Sequence, residues 1–181
     1  MTRLTATMCA LLFFTGAGYA DTAKPKTRVA RIGTYDSRAI AVAFVGSEVY
    51  KATVGKKMSE MMAEYKKAES EGDKKRVKEL KTWGETQQAL LHKQVFSTAP
   101  VDDILKHIID QFPEIKKKAG VELLVSKWDT QTLAKHTSAE QIDITMLLID
   151  AFKPNEKQKR SAIEIQKHEP VPLENMKNHK H

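Results

Sequence analysis

The chain of 181 residues carries 30 lysines and arginines against 23 aspartates and glutamates, a formal net charge of +7. This length suits one domain, and a single cysteine excludes a disulfide-stabilised scaffold. A moderately basic protein is suited to acidic polymers, acidic proteins or an anionic membrane surface as partners.

The start of the chain has the three parts of a secretory signal peptide, over residues 1–20. Arg3 supplies the positive charge, residues 6–14 form an apolar run, and small residues precede a cleavage position after Ala20. The apolar run is far shorter than the roughly 20 residues that cross a bilayer, which disfavours a membrane anchor. We predict export to the periplasm, where nucleic acid is a poor partner. Cleavage also removes Cys9, so the mature chain has no thiol.

The next segments predict a strand followed by a helix. Residues 21–28 are polar and are predicted to be disordered. A strand is predicted over Val29–Tyr35 from its β-forming residues. Asp36 and Ser37 offer side-chain oxygens that can cap a helix. An apolar stripe with helical spacing then predicts one helix from about Arg38 to Ser70.

The segment Tyr35–Arg38 places a tyrosine, an aspartate, a serine and an arginine together, which raises the question of a catalytic constellation. A nucleophilic serine or a catalytic carboxylate needs a base or a second carboxylate at a defined distance, and the sequence shows no convincing candidate. We interpret the segment as a strand-to-helix corner, with Arg38 facing solvent or a neighbouring subunit. We predict that the protein is not an enzyme.

A hairpin of two helices is predicted for the middle of the chain, over about residues 47–96. Gly72 can adopt the left-handed conformation of a turn, and Asp73 can cap the second helix. The apolar stripe from Val77 to Val95 continues that helix. Between Lys66 and Lys81 there are seven basic and four acidic residues and almost nothing apolar, so this tip is expected to project into water.

The remaining residues alternate between helical stripes and short extended segments. Pro100 is placed to open a helix that Pro113 kinks or ends, and Gly120 ends the next helical stretch. Residues 121–125 form the clearest strand, with residues 130–135 as its expected partner. The later segments are, in chain order, an extended piece at 141–144, a core helix at 146–152 capped by Thr145, a polar helix at 155–167 and a loose segment at 168–181.

The histidines are the candidate metal ligands of the sequence. His92 and His107 lie on different helices without a ligand four residues away. His179 and His181 can hold a metal loosely, but no cysteine or carboxylate completes four ligands, so a solvated terminus is favoured. We predict neither a metal site nor a cofactor. The six histidines are His92, His107, His136, His168, His179 and His181.

Three stretches of the sequence carry a resemblance to a known family: RIGTYDSRAIAVAF (31–44), ILKHIIDQFPEIKKKAGVELLVSKWD (104–129) and QIDITMLLIDAF (141–152). They resemble, in that order, the first strand and helix, the last arm helix with the strand after it, and the closing segment of the Skp (OmpH-like) periplasmic chaperones. The resemblance covers about residues 29–152, and Asp143-Ile144-Thr145 is its more specific part.

The resemblance implies an α+β fold, with a small β body from strands at both ends of the chain and a long projecting helical hairpin. It also implies a homotrimer, in which strands from three subunits form a barrel and three hairpins surround a cavity. The family's cavity holds unfolded outer-membrane proteins without ATP. Here the arms are short, so a smaller cavity is expected, and residues 153–181 form a polar tail that the family ending does not require.

Two sets of residues become candidates for function. Methionine adapts to varied partners, although packing between the two arms is the interpretation favoured for the methionines. The basic tip can attract acidic clients or anionic lipid, or it can be simply a solvated end. The client-binding candidates are Met58, Met61, Met62, Lys66, Lys67, Lys74, Lys75 and Arg76. The resemblance adds Ile32, Thr34, Tyr35, Val121, Leu123 and Val125 as residues of the oligomeric body.

The function predicted from these features is a periplasmic holdase-type chaperone that binds unfolded envelope proteins. The alternative is a non-catalytic structural or adaptor protein of the cell envelope that binds one folded partner. Trp83 and Trp128 are interpreted as packing residues, and Trp128 is expected to pin the hairpin to the body.

Overall fold

The computed structural model describes residues 31–177. The predicted signal peptide, the predicted disordered segment 21–28, the first two residues of the predicted strand, and His179 and His181 lie outside the described residues. The described elements are β1 (Arg31–Tyr35), α1 (Ser37–Phe44), α2 (Glu48–Tyr50), a π-helix (Lys51–Gly55), α3 (Lys56–Ser70), α4 (Lys74–Phe96), α5 (Asp102–Leu105), a 3₁₀-helix (Lys106–Gln111), α6 (Phe112–Ala119), β2 (Leu123–Ser126), α7 (Thr130–Lys135), β3 (Glu140–Asp143), α8 (Thr145–Ala151), α9 (Glu156–Ile165) and a 3₁₀-helix (Leu173–Lys177). The protein is therefore mostly helical, with one small sheet.

The sheet is parallel, with the strand order β2-β1-β3. In the central strand, Thr34 is opposite Val125 on one side and Asp143 on the other. Parallel strands need a crossover connection and cannot be joined by a tight hairpin. The segment after β2 is accordingly the helix α7, capped by Asp129, which accepts a hydrogen bond from the Thr132 N–H at 3.0 Å. The predicted strand at 130–135 is wrong.

The core surrounds α1, which packs against α4, α5, α8 and α9. Seven of its eight residues are buried, as expected for a helix that other elements cover on all sides. Ile149 and Phe152 reach this core from the α8 region, and Ala162 reaches it from α9. The segment after residue 153 thus contributes to the core.

Gly46 interrupts the helix that the sequence predicts from Arg38 to Ser70. Its φ of +82° lies in the left-handed region, and α1 ends before it. Ser47 then caps α2 by accepting a hydrogen bond from the Tyr50 N–H at 3.1 Å. A π-helix carries the chain from α2 into α3. The apolar stripe runs through all of these segments, which is why its periodicity indicates a single helix.

Several predicted ends of helices are confirmed. Gly72 and Gly120 have φ values of +72° and +64°, and each follows a helix. Asp73 caps α4 by accepting a hydrogen bond from the Arg76 N–H at 2.9 Å. The prediction that Pro113 kinks or ends its helix is wrong, because Pro113 lies in the first turn of α6 and the kink lies earlier, at Ile108, whose φ is −126°.

The prediction that Thr145 caps its helix is wrong. The capping oxygen belongs to Asp143, whose side chain accepts a hydrogen bond from the Thr145 N–H at 2.8 Å. The Thr145 hydroxyl instead accepts a hydrogen bond from the Asp36 N–H at 3.0 Å. This bond ties the corner after β1 to the start of α8.

The polar helix predicted at 155–167 is confirmed as α9, which Asn155 caps. The loose segment predicted after it is wrong for residues 168–177. The Val171 N–H donates to the Phe96 carbonyl at 2.9 Å, and the Ser97 hydroxyl donates to the Val171 carbonyl at 2.6 Å. Met176 is buried. One backbone bond to Phe96 and one side-chain bond from Ser97 therefore hold this segment against the end of α4.

Candidate functional site

The helices α3 and α4 pack against each other and are joined by the turn at 71–73. Arg76 links them near the tip, with Nη2 2.7 Å from Glu64 Oε1 and Nη1 2.9 Å from Glu79 Oε2. Arg76 was predicted to contact clients, but the structure engages its guanidinium within the hairpin. The pair with Glu64 joins α4 to α3, whereas the pair with Glu79 lies within α4.

The four lysines predicted at the tip are all exposed: Lys66, Lys67, Lys74 and Lys75. Lys67 has a loose ion pair with Glu71, at 3.9 Å. An exposed pair at this distance adds little to stability. These ammonium groups therefore remain accessible to an acidic partner.

An apolar groove, here called the distal groove, lies between α3 and α4 near the tip and has a volume of 230 Å³. Met62 is 55 % exposed, whereas Met58 and Met61 are half-buried. The methionines therefore both pack between the arms and offer surface to a partner. The lining residues are Met58, Met61, Met62, Tyr65, Leu80, Lys81, Trp83 and Gly84.

A second groove, here called the proximal groove, lies where the hairpin joins the body and has a volume of 410 Å³. Met58, Met62 and Gly84 line both grooves, so the two grooves are neighbours. Leu90 at its margin is 39 % exposed. The other lining residues are Phe44, Tyr50, Val54, Gln87, Gln88, Leu91, Gln94, Asp103 and Ile104.

Gly84 lies within α4 and has open space where a side chain would start, since an added Cβ meets no atom within 4 Å. Glycine lowers helix stability because of its backbone freedom. Gly84→Ala is expected to raise the free energy of unfolding by about 0.5–1 kcal/mol, measured by urea denaturation. Gly72→Ala is the matched control, because Gly72 is equally open but has a φ of +72°. It should lower that free energy, and equal effects of both substitutions would contradict the backbone explanation.

A buried charge cluster lies at the corner after β1. The fully buried Asp36 carboxylate accepts hydrogen bonds from Arg38 Nη2 at 2.9 Å and from Arg38 Nε at 3.2 Å. Lys127 Nζ lies 2.6 Å from the same carboxylate, and the remaining Arg38 Nη1 donates to the His168 carbonyl at 2.7 Å. The Trp128 ring lies beside both cations, 5.1 Å from Arg38 Cζ and 4.7 Å from Lys127 Nζ.

This cluster has a structural consequence. Burial alone would raise the pKa of Asp36, but the hydrogen bonds from Arg38 and Lys127 outweigh it and hold that pKa below its ordinary value. Asp36 is therefore a carboxylate that joins the corner after β1 to the loop after β2. Ser37 Oγ is buried without a hydrogen-bond partner within residues 31–177, so the described chain places no base against it.

Two expectations about this corner are corrected. Arg38 is 1 % exposed, so the prediction that it faces solvent or a neighbouring subunit is wrong. The ion pair with Asp36 is what allows the guanidinium to be buried. Trp128 was expected to pin the hairpin to the body, but its ring stacks on the cations of the cluster instead.

Most residues predicted for the oligomeric body are already buried in the single chain. This group comprises Ile32, Tyr35, Val121 and Val125, whereas Thr34 and Leu123 are half-buried. All lie on or beside the paired strands β1 and β2. They therefore pack within the single chain.

The edge strand β2 borders a cleft with a volume of 640 Å³, and all four of its residues line that cleft. Tyr35 lies at the same cleft. Burial, together with the nearby carboxylates of Asp102 and Asp129, raises the pKa of Tyr35 to about 12. The phenol is therefore neutral at any physiological pH.

Comparisons with known protein families, curated proteins and solved structures found no match for this chain. Within residues 31–177, no three metal-ligating side chains come together in a cluster that would hold an ion. No helix in that range is both long and apolar enough to cross a membrane.

Sequence reasoning missed the proximal groove and the charge cluster. The proximal groove is lined by residues of the apolar stripes, among them Val54, Leu90 and Leu91. Such a stripe was interpreted as a packing surface, and its spacing does not show that Leu90 stays exposed. Nothing in the sequence around Lys127 predicts its ion pair, because its partner Asp36 is distant in the chain.

Proposed function

We propose that the protein is a non-enzymatic, exported chaperone that holds unfolded envelope proteins without ATP on its α3–α4 hairpin. The observation that carries the proposal is a pair of neighbouring apolar grooves that share Met58 and Met62, on a hairpin whose tip has four exposed lysines. Flexible methionine side chains suit apolar segments of different shape. The lysines add an attraction for acidic clients that acts before contact.

The proposal includes assembly into a trimer of the kind that the resemblance to the Skp family implies. Within the described chain, β2 and β3 each have one neighbouring strand, so each leaves one edge unpaired. Unpaired edges are places where another chain can add. Three subunits joined in this way would bring three hairpins around one cavity.

The first test of assembly is the solution mass of the purified protein by size exclusion with light scattering. A stable trimer supports a shared body and a cavity. A monomer at all accessible concentrations contradicts the cavity mechanism and favours the envelope-adaptor alternative.

The test of client binding replaces the four tip lysines, Lys66, Lys67, Lys74 and Lys75, with glutamine. At low ionic strength, binding of a urea-unfolded outer-membrane protein should weaken by about tenfold, because four exposed contacts of a few tenths of a kcal/mol each are lost. At physiological salt the difference should shrink, since charges are screened over about 8 Å. Fluorescence anisotropy of a labelled client measures both values.

The matched control replaces four exposed lysines of the body, Lys106, Lys117, Lys118 and Lys135, with glutamine and changes the net charge equally. Binding that falls as much in this control contradicts a specific role of the tip. Capture of one folded partner from an envelope extract would indicate the adaptor. Binding to anionic vesicles without client binding would indicate a membrane-surface protein.

A further inference from the structure

The cleft of 640 Å³ beside β2 follows an edge of the sheet that has no partner strand within residues 31–177. Successive side chains of a strand point to opposite faces, so a cleft lined by all four residues of β2 runs along the edge of the strand and not over one face. The Glu122 N–H donates to the Arg31 carbonyl at 3.0 Å, so the main-chain groups of Leu123, the next residue, point away from β1. The cleft therefore offers main-chain hydrogen bonds to a segment in an extended conformation.

The charge in this cleft is negative. Asp102 and Asp129 line the cleft and are exposed, and neither forms an ion pair within residues 31–177. No lysine, arginine or histidine occurs among the described lining residues. The chain as a whole has a formal net charge of +7, so the cleft is a local exception on a basic protein. Charge complementarity favours a cationic partner at this place.

The Tyr35 side chain supplies a third polar group. Tyr35 is only 7 % exposed and lines the cleft. Its hydroxyl has no hydrogen-bond partner within residues 31–177, yet unlike Ser37 Oγ it is not fully enclosed. The carboxylates of Asp102 and Asp129 both contribute to the raised pKa of this phenol, so their field reaches the hydroxyl. The hydroxyl oxygen is thus placed to accept a hydrogen bond from a cation that the two carboxylates attract.

We propose that this cleft binds a basic segment of a partner protein in an extended conformation, as a strand added beside β2. A lysine or arginine of that segment pairs with Asp102 and Asp129 and donates to the Tyr35 hydroxyl. An apolar residue next to it contacts Leu173, which lines the cleft and is 43 % exposed. The site is separate from the hairpin and does not depend on the client binding proposed above. A second subunit on the β2 edge would compete with this segment, and the experiment below separates the two.

The experiment is fluorescence anisotropy of the labelled peptide Thr-Val-Lys-Val-Lys-Thr, titrated with the purified protein. The four residues of β2 span roughly 13 Å, which the four central residues of the peptide match. Saturable binding of one peptide per chain is expected. The peptide with methionine in place of both lysines keeps the main chain and loses the charge. The peptide N-methylated at its four central residues keeps the charge and loses the main-chain donors. Each should bind about fivefold more weakly, the usual effect of one hydrogen bond or of two exposed ion pairs.

Variants then locate the site. Tyr35→Phe should weaken the lysine peptide by about fivefold and leave the methionine peptide unchanged, because only the lysine can donate to the hydroxyl. Asp102→Asn combined with Asp129→Asn should weaken the lysine peptide by about fivefold at low ionic strength, and by less at high salt. The matched control combines Glu60→Gln with Asp110→Asn, which changes the net charge equally at exposed residues outside the cleft, and it should bind normally.

Thermal unfolding of each variant shows whether it is folded, and Asp129→Asn keeps a residue that caps α7 about as well. The variant with glutamine at the four tip lysines should bind the lysine peptide like the natural chain, and a loss there would place the peptide on the hairpin and overturn the proposal. The absence of saturable binding, or equal binding of the lysine and methionine peptides, would overturn it. Affinity that falls as the protein concentration rises would show that a second copy of the chain occupies the edge, and would overturn it as well.

Discussion

Asp36→Asn is expected to lower the free energy of unfolding by about 3–5 kcal/mol, the usual result of removing one partner of a buried ion pair. The substitution leaves the Arg38 guanidinium, 1 % exposed, without its carboxylate. It also removes the partner of Lys127 Nζ at 2.6 Å. Urea denaturation followed by circular dichroism at neutral pH measures the loss.

The effect should depend on pH. The folded-state pKa of Asp36 lies below its ordinary value, so on acidification the unfolded chain takes up the proton first. The stabilisation is therefore fully present above the unfolded-state pKa of about 3.9 and is lost as the pH falls below it. The natural chain and the Asp36→Asn variant should differ most at neutral pH, and progressively less as the pH falls from about 3.9 towards the folded-state pKa of Asp36.

Two further variants test the ion pair. Asp36 also caps α1 by accepting a hydrogen bond from the Arg38 N–H at 3.0 Å, but asparagine caps a helix about as well as aspartate, so Asp36→Asn keeps the cap and removes the charge. If the buried charge dominates, Arg38→Met added to Asp36→Asn should recover part of the loss, because no unpaired guanidinium remains. Lys127→Met should have a small effect, since the Lys127 side chain is 37 % exposed. A loss of about 1 kcal/mol or less, unchanged in the double variant, would contradict a dominant role of the buried charge.

Phe152→Ala is expected to lower the free energy of unfolding by about 3–5 kcal/mol. Phe152 is fully buried, and its ring lies 5.4 Å from the ring of Phe44. Phe44 in turn contacts Tyr50, at the start of the hairpin, and His107, each at 5.3 Å. The cavity left by the substitution therefore lies where the hairpin joins the body.

The two tryptophans allow this prediction to be measured in both parts of the molecule. Trp83 belongs to the hairpin, and Trp128 belongs to the body. With Trp83→Phe or Trp128→Phe as background, fluorescence follows one part at a time. Both unfolding transitions should shift equally, because α4 runs unbroken from the tip to its packing against α1. Leu90→Ala is the control and should have a small effect, since Leu90 is 39 % exposed. A Trp83 transition that does not move would show that the hairpin unfolds separately.

The sequence by itself determined the features that depend on neighbouring residues. The caps at Asp36 and Asp73, the left-handed glycines at 72 and 120, the strands β1 and β2, and the helix α9 all follow from local hydrogen bonding and backbone preference. The exposed lysines of the hairpin tip also followed from composition, since a segment with almost no apolar residue has nothing to bury.

Only the tertiary structure decided which segments meet. The parallel pairing of β1 with β2 and β3 excluded a strand at 130–135, and the Gln158 amide packed against Gly46 marks where α1 ends. Arg38 was predicted to face outward because an arginine after a strand gives no sign of its partners. Asp36, Lys127 and the His168 carbonyl come together only when the chain folds. The hydrogen bonds of Arg38 with Asp36 and His168 make burial of the Arg38 guanidinium favourable.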